Sequence, residues 1–397
     1  MIPPQAGALA GIRILDLSQL IAGPSSTSML AQLGADVIKL ESPAGDTSRH
    51  MGKAREYGFS ATFAAYNKGK RSIALDLLTA AGRGIALRLA ASSDVVIEAF
   101  RPGVAAKLGL GYDDVRAVRP DIVYVSFSGF GADGPMASRA GVDLLIQGES
   151  GIMSITGDGD GPPTKIGFTA VDAAAGFALS SAILAGLVTR LRTGAGSLHQ
   201  MSLLDVALYM QAGPLTEYLM SGEEPTRTGN MAPLGAPAEV FRTADGFLIV
   251  SAYFPNQWPD LCRLLDLEPL AADPRFDTNE RRIEHRTELH GLLETRFVTQ
   301  PSAAWKERFE HTRIISGDVL SYSQVLAHSQ VRHAGAVTTV DSTQGTLPSI
   351  APPLRPFEIG MPPLAVPALG EHGAEILSEL GCSTDEIAAL RADGALR

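Results

Sequence analysis

The feature that most constrains this chain is a regular alternation through its first half. Short Val/Ile-rich runs, "IRILDLS" (12–18), "DVIKLE" (36–41), "SIALDL" (72–77), "DVVIEAF" (94–100) and "DIVYVSFSGFG" (121–131), are separated by helical stretches such as "GPSSTSMLAQLGA", "GRGIALRLAAS" and "GVAAKLGL". Strands alternating with helices of about ten residues imply βαβ units and a mostly parallel sheet, hence an α/β fold. The runs are apolar without alternation, as strands covered on both faces require. "TGAGSLHQMSLLDVALYMQAG" adds a strand and a helix.

The pattern then changes. "APAEVFRTADGFLIVSAY" (236–253) is two β runs around Ala244-Asp245-Gly246, a hairpin signal, and charged helical segments follow. Residues 225–330 therefore read as a smaller α+β domain after a large domain over 1–224. Seven prolines in 341–370 exclude a helix there and give 331–397 an extended linker. The tail ends in two short helices joined at Gly381-Cys382-Ser383. A length of 397 residues supports two domains.

Charge and cysteines narrow the function. A net charge of −10 argues against a nucleic-acid or membrane-surface binder, whose affinity needs a basic face. Cys262 and Cys382 form neither a CxxC nor a zinc pattern, which fits a reducing compartment. The start lacks the basic and apolar regions of a signal peptide, so the expected location is the cytoplasm. The uncharged run Ala173–Thr189 spans 17 residues and is rich in Ala, Gly and Ser. It falls short of the roughly 20 strongly apolar residues of a membrane span and suits a closely packed internal helix.

Familiar motifs are mostly missing. "GFGADG" (129–134) follows a strand but is continued by Pro135 rather than a helix, so it reads as a glycine-rich turn and not a dinucleotide fingerprint. Neither GxSxG nor a P-loop occurs, and the eight histidines show no metal spacing. Lys68, Lys70 and Arg71 precede a strand, with Arg101 and Lys107 near another strand end. A solvated turn is the plainer reading of the first three; an anion grip is the sharper one.

One carboxylate stands out. Among the 24 residues between Lys165 and Arg190, Asp172 alone is charged. It is a helix N-cap, or a nucleophile kept ionised by the helix dipole and free N–H groups, or both.

Together "ILDLSQLIAGP", "LGADVIKLESPAGD", "NKGKRSIALDL", "VVIEAFRPG", "PDIVYVSFSGFGADGP", "VDAAAG" and "LGEHGAEILSELG" resemble the family III CoA-transferases of the CaiB/BaiF type, in family order and over nearly the whole chain. The resemblance implies a Rossmann-like large domain to which the C-terminal helices return, a small α+β domain, and an interlocked homodimer. It implies CoA transfer between an acyl-CoA and a carboxylic acid, with CoA as substrate and no resident cofactor or metal. Asp172 falls at the catalytic aspartate, which forms an aspartyl-acyl anhydride and then an aspartyl-CoA thioester. CoA contacts are implied for Gln19, Ile21, Ala22, Leu75, Ala99, Phe100, Arg101, Lys107, Leu108 and Arg139.

Two departures bear on the substrate. "MAPLGAPA" (231–238) lacks the glycine run of oxalate-type members. Val142 stands where the family's 2-methylacyl-CoA racemases carry a histidine, so the second acid–base group they need is missing, and Asp143 beside it reads as a cap of the following helix. A CoA-binding protein without activity is the third reading. Tyr209, Met210, Tyr218, Met231, Tyr253 and Trp258 are either acyl-pocket or core residues.

Overall fold

A computed structural model describes residues 7–52, 57–354 and 364–397. It divides into two compact units, 1–152 with 166–222 and 330–397, and 153–165 with 223–329. In the larger unit the chain runs β1 (Arg13–Asp16), α1 (Ala22–Gln32), β2 (Asp36–Glu41), α2 (Ala61–Asn67), β3 (Lys70–Ala74), α3 (Ala80–Ala91) and β4 (Val95–Glu98). It continues through α4 (Val104–Lys107), α5 (Tyr112–Val118), β5 (Val123–Ser128) and α6 (Asp143–Glu149), passes into the smaller unit within α7 (Ile152–Ile155), and returns with α8 (Ala170–Thr193), β6 (Ser197–Ser202), α9 (Leu203–Met210) and α10 (Ala212–Ser221).

The six strands pair in parallel in the order β3-β2-β1-β4-β5-β6. This is the doubly wound Rossmann order, whose winding reverses between β1 and β4. Neighbouring residues divide between two cores. Ile14, Val37, Val95, Val123 and Val125 face α1 and α8. Leu15, Ile38, Val96 and Tyr124 face helices on the other side. Only β6, at the edge, alternates between partly buried and exposed residues.

Helix α8 explains its own composition. By length and composition it could cross a membrane, yet Val171, Ala175, Leu179, Ile183 and Leu187, spaced by four, form one buried stripe against the sheet. Its small residues permit close approach. A Cβ on Gly186 would lie 2.4 Å from Val123 Cγ1, and one on Gly176 2.0 Å from Ser25 Oγ. Gly186→Ala is therefore expected to cost about 1–3 kcal/mol by overpacking, despite alanine's better helix propensity, read as a lower urea midpoint.

The smaller unit contains β7 (Ala238–Arg242), β8 (Phe247–Ser251), α11 (Gln257–Leu264), α12 (Asn279–Glu284), α13 (Arg286–Phe297), α14 (Ser302–Phe309), β9 (Ile315–Asp318) and α15 (Tyr322–Ala327). Its strands form an antiparallel sheet with the expected hairpin between β7 and β8. Phe241, Trp258, Leu289, Phe297 and Trp305 anchor its core. Residues 153–165 contribute to this unit from a distant part of the chain.

The chain re-enters the larger unit with α16 (Ser329–His333), β10 (Val337–Ser342), β11 (Leu347–Ile350), β12 (Ala365–Val366), α17 (Gly373–Glu379) and α18 (Thr384–Ala392). The extended linker expected over 341–370 is in part a sheet, β11-β10-β12, packed on Phe59, Phe63 and Ala64. Pro348 sits in edge strand β11, where the missing N–H is tolerated; residues 355–363 lie outside the described residues. Ile376, Leu377, Ile387 and Leu396 complete the core on one face of the large sheet.

Candidate active site

The sequence-expected ligand residues follow the carboxyl ends of the parallel strands, where open α/β sheets bind ligands. Gln19, Ile21 and Ala22 follow β1, and Ala99, Phe100 and Arg101 follow β4, on either side of the switch point. Lys107 ends α4 and Leu108 follows it; both belong to the β4 connection. Gln19, Ala99, Arg101 and Lys107 are exposed. Ile21 and Ala22 are buried, which leaves mainly their backbone to meet a ligand. Leu75 stands apart beyond β3, fully buried and bridged to Leu396. Arg139, after β5, is bound to Glu149 at 2.7 Å and lies over the Phe130 ring.

The turn between β1 and α1 is held from below. Leu20 adopts φ +68°, a left-handed conformation that L side chains rarely take. Its N–H donates to Asp46 Oδ1 at 3.2 Å, and Asp46 is paired with the fully buried Lys39 at 2.8 Å. Lys70 is likewise buried, donating to Asp16, Asn67 and the Pro24 carbonyl, each at 2.9 Å. Arg71 binds Asp36, Glu375 and Glu379. Neither the solvated turn nor the anion grip describes these two cations: both are committed to internal pairs.

Asp172 is at the third position of α8, not its cap. Thr169 precedes the helix and makes no capping bond through its side chain. The N–H groups of Val171 and Asp172 instead donate to Asp143 Oδ1, at 2.8 and 3.2 Å. Asp143, expected to cap its own helix α6, thus caps α8, and Gln147 Nε2 holds its other oxygen at 2.5 Å. This arrangement corrects the expectation of a dipole-stabilised, fully ionised Asp172. The donors that would favour its anion are taken by a second carboxylate. Burial, and then the charge of Asp143, push the Asp172 carboxyl up to about 7. Because α8 leads into β6, which is parallel to β5, the helix starts on the same carboxyl side of the sheet as the residues after β1 and β4.

Beside Asp172 opens a cavity of about 620 Å³ between α1, α2, α8 and β11, with Met29, Tyr66, Ala173, Phe177 and Ile350 among its walls. Burial, followed by the charge of Asp172, raises the Tyr66 phenol pKa, so that hydroxyl lies within the carboxylate's field. Lys68 also lines the cavity. None of the aromatic and Met residues singled out as pocket or core candidates lines this cavity; Tyr209 and Met210 are exposed on α9, and Trp258 is in the small-unit core. Sequence reading missed Tyr66, whose only signal was its place before the basic turn. It also missed Glu98, buried at the end of β4 and bound by Ser126 Oγ at 2.5 Å and Phe100 N–H at 2.8 Å. Among the described residues no group of three or more His, Cys, Asp or Glu could hold a metal.

The chain matches the sequence model of CoA-transferase family III over residues 9–373, and it belongs to that family. It is 38% identical over 391 residues to the succinate–glutarate CoA-transferase of Agrobacterium fabrum, covering 96% of this chain and 97% of that one. It is 37% identical over 378 residues to the succinyl-CoA:glutarate CoA-transferase of Mus musculus, covering 94% and 86%. A crystal structure of a CaiB/BaiF family protein from Brucella suis superposes with a TM-score of 0.84 at 37% identity, covering 95% of this chain and all of that one.

Proposed function

We propose that this CoA-transferase uses Asp172 as its nucleophile and exchanges CoA between short dicarboxylic acids. The observation that carries the reading is Asp172 itself: a half-buried carboxylate in the first turn of α8, next to a cavity and pushed up to about 7. The substrate class rests on the succinate and glutarate in the names of the two relatives. Val142, which cannot exchange a proton, leaves the racemase reading without its second group.

A carboxylate oxygen of Asp172 attacks the thioester carbonyl carbon, and the C–S bond breaks to release CoA thiolate and leave an anhydride. The thiolate then attacks the Asp172 carbonyl carbon, expelling the donor acid as its carboxylate and forming an aspartyl-CoA thioester. The acceptor carboxylate displaces the thiolate to form a second anhydride. Thiolate attack on the acceptor acyl carbon of that anhydride regenerates Asp172. No net proton or electron is gained or lost. Gln19, Ala22, Ala99, Phe100, Arg101, Lys107 and Leu108 are proposed CoA contacts, with exposed Arg101 and Lys107 suited to its phosphates. Leu75 and Ile21 can take part through their backbones, and Arg139 only by leaving Glu149.

Intact-mass measurement with succinyl-CoA, followed by hydroxylamine trapping, tests the reading: a hydroxamate is expected on Asp172. Its absence for every acyl-CoA tried would overturn the nucleophile assignment. Attack needs the ionised carboxyl, so adduct formation should fall as pH drops through about 7. Asp143→Asn removes the neighbouring charge and is expected to move that limb to lower pH.

The unit's outer surface supports a homodimer. Leu191, Tyr209, Leu219 and Met220 are each at least 80% exposed on α8, α9 and α10. Light scattering at micromolar concentration is expected to give twice the chain mass. Two buried, unpaired cysteines support a reducing, cytoplasmic setting.

A further inference from the structure

The cavity beside Asp172 has a mainly apolar lining, and among the described residues Lys68 is the one cation in it. Lys68, which follows α2, is buried, and its ammonium donates to Ser349 Oγ at 3.0 Å and to the Ile350 carbonyl. Both acceptors are neutral, and no carboxylate pairs with it among the described residues. Every other buried lysine or arginine described in the larger unit has an acid: Lys39 has Asp46, Arg49 has Glu41 and Lys70 has Asp16. A buried ammonium without a counter-charge is costly, and two neutral hydrogen bonds leave one donor unused. Burial lowers the Lys68 pKa, as expected for a cation that lacks an anion. Ser28 Oγ holds the Lys68 carbonyl at 3.0 Å, fixing the residue in the wall.

The same cavity reaches Ala173, the residue after Asp172, and Tyr66, whose hydroxyl feels the Asp172 charge. One wall therefore carries the residue after Asp172 and a hydroxyl within that carboxylate's field, and another holds an unneutralised cation, with apolar Met29 and Phe177 among the residues lining the same space. A short α,ω-dicarboxylic acid has this pattern: one carboxyl group to react, a methylene chain to pack, and a second carboxylate to be neutralised.

Resting on the dicarboxylate reading above, we infer that Lys68 is the specificity-determining residue that receives the non-reacting carboxylate of the substrate. The alternative is a purely structural lysine that ties the α2–β3 turn to β11. The two differ in what they do to substrate choice.

The test is an internal competition on the full-length enzyme. Glutarate and pentanoate, equal in chain length, compete for CoA from one succinyl-CoA donor, and the ratio of the two products is read by mass spectrometry. Both acids draw on the same enzyme intermediate, so defects in folding or donor use cancel in the ratio. Wild type is expected to favour glutarate strongly. Lys68→Met is expected to lower that preference by about 100-fold, the effect of truncating one partner of a buried charge pair. Lys68→Arg should keep the preference for the diacid. If Lys68→Met fails to fold, Lys68→Gln retains donors for Ser349 and Ile350 without the charge, and its ratio should fall similarly. A preference that survives loss of the charge overturns the inference and leaves the CoA-transferase reading standing. Failure of wild type to use either acid overturns the dicarboxylate reading and the inference with it.

Discussion

Asp172→Ala is expected to abolish CoA exchange, by roughly a thousandfold or more, and to remove the hydroxylamine-trapped adduct. The size of the effect follows from the role: no other described carboxylate occupies the first turn of α8, so no group inherits the anhydride. Asp143 is near but is fixed by Val171, Asp172 and Gln147, all of which donate to it. CoA binding should survive, because the residues proposed to contact CoA follow β1, β3, β4 and β5 rather than α8. The check is a paired one, with a full steady-state assay and an equilibrium CoA-binding measurement on the same preparation. Residual exchange at wild-type rate would assign the chemistry elsewhere.

Asp16→Ala is expected to be the most damaging single change to stability. Asp16 is fully buried at the end of β1, and accepts from Lys70 Nζ at 2.9 Å, from Thr27 Oγ1 at 2.6 Å and from Ser18. Burial alone would raise its pKa; Lys70, Lys39 and the two hydroxyls outweigh burial and hold it well below the usual carboxylate range. Removing it strips the buried Lys70 of its counter-charge, so that the amine must lose its proton or sit unpaired in the core, a loss of about 3–5 kcal/mol. The urea midpoint of the purified variant measures this. The sign of the pH effect follows from the lowered pKa. The stabilisation is complete above the unfolded value of about 3.9 and is lost as pH falls below it toward the native value. Asp16→Ala should therefore lose part of the wild type's acid sensitivity along with its stability.

Much of the architecture was legible because it rests on local periodicity. "DVIKLE", "DVVIEAF" and their neighbours announced buried parallel strands, and the Ala-Asp-Gly turn announced the hairpin of the smaller unit. What escaped reading depends on contacts between distant residues. Nothing near Asp143 shows that its carboxylate caps a helix 28 residues on, and its charge adds to burial in raising the Asp172 carboxyl. Lys70 and Arg71 looked like a surface turn because charge alone does not reveal Asp16 or Asp36 beneath them. β11 and β12 were hidden by prolines, which edge strands tolerate. Asp172 was legible for the opposite reason: an isolated charge in an apolar run is visible in one dimension.

The position of α17 and α18 has a consequence for synthesis. One face of the large sheet carries Leu15, Ile38, Ile73 and Val96, and the residues that finish covering it include Ile376, Leu377 and Leu396. Asp76 N–H donates to Ala395 O at 3.0 Å, and Arg397 N–H to Ala74 O at 3.1 Å, so the rim beyond β3 also waits for the last residues. Five of the six strands of the large sheet leave the ribosome within the first 128 residues, and their cover arrives more than 240 residues later. At ~5–20 residues per second, that apolar face stays open for about 12 seconds or more in each newborn chain. For that interval the nascent large unit carries an uncovered, aggregation-prone apolar face.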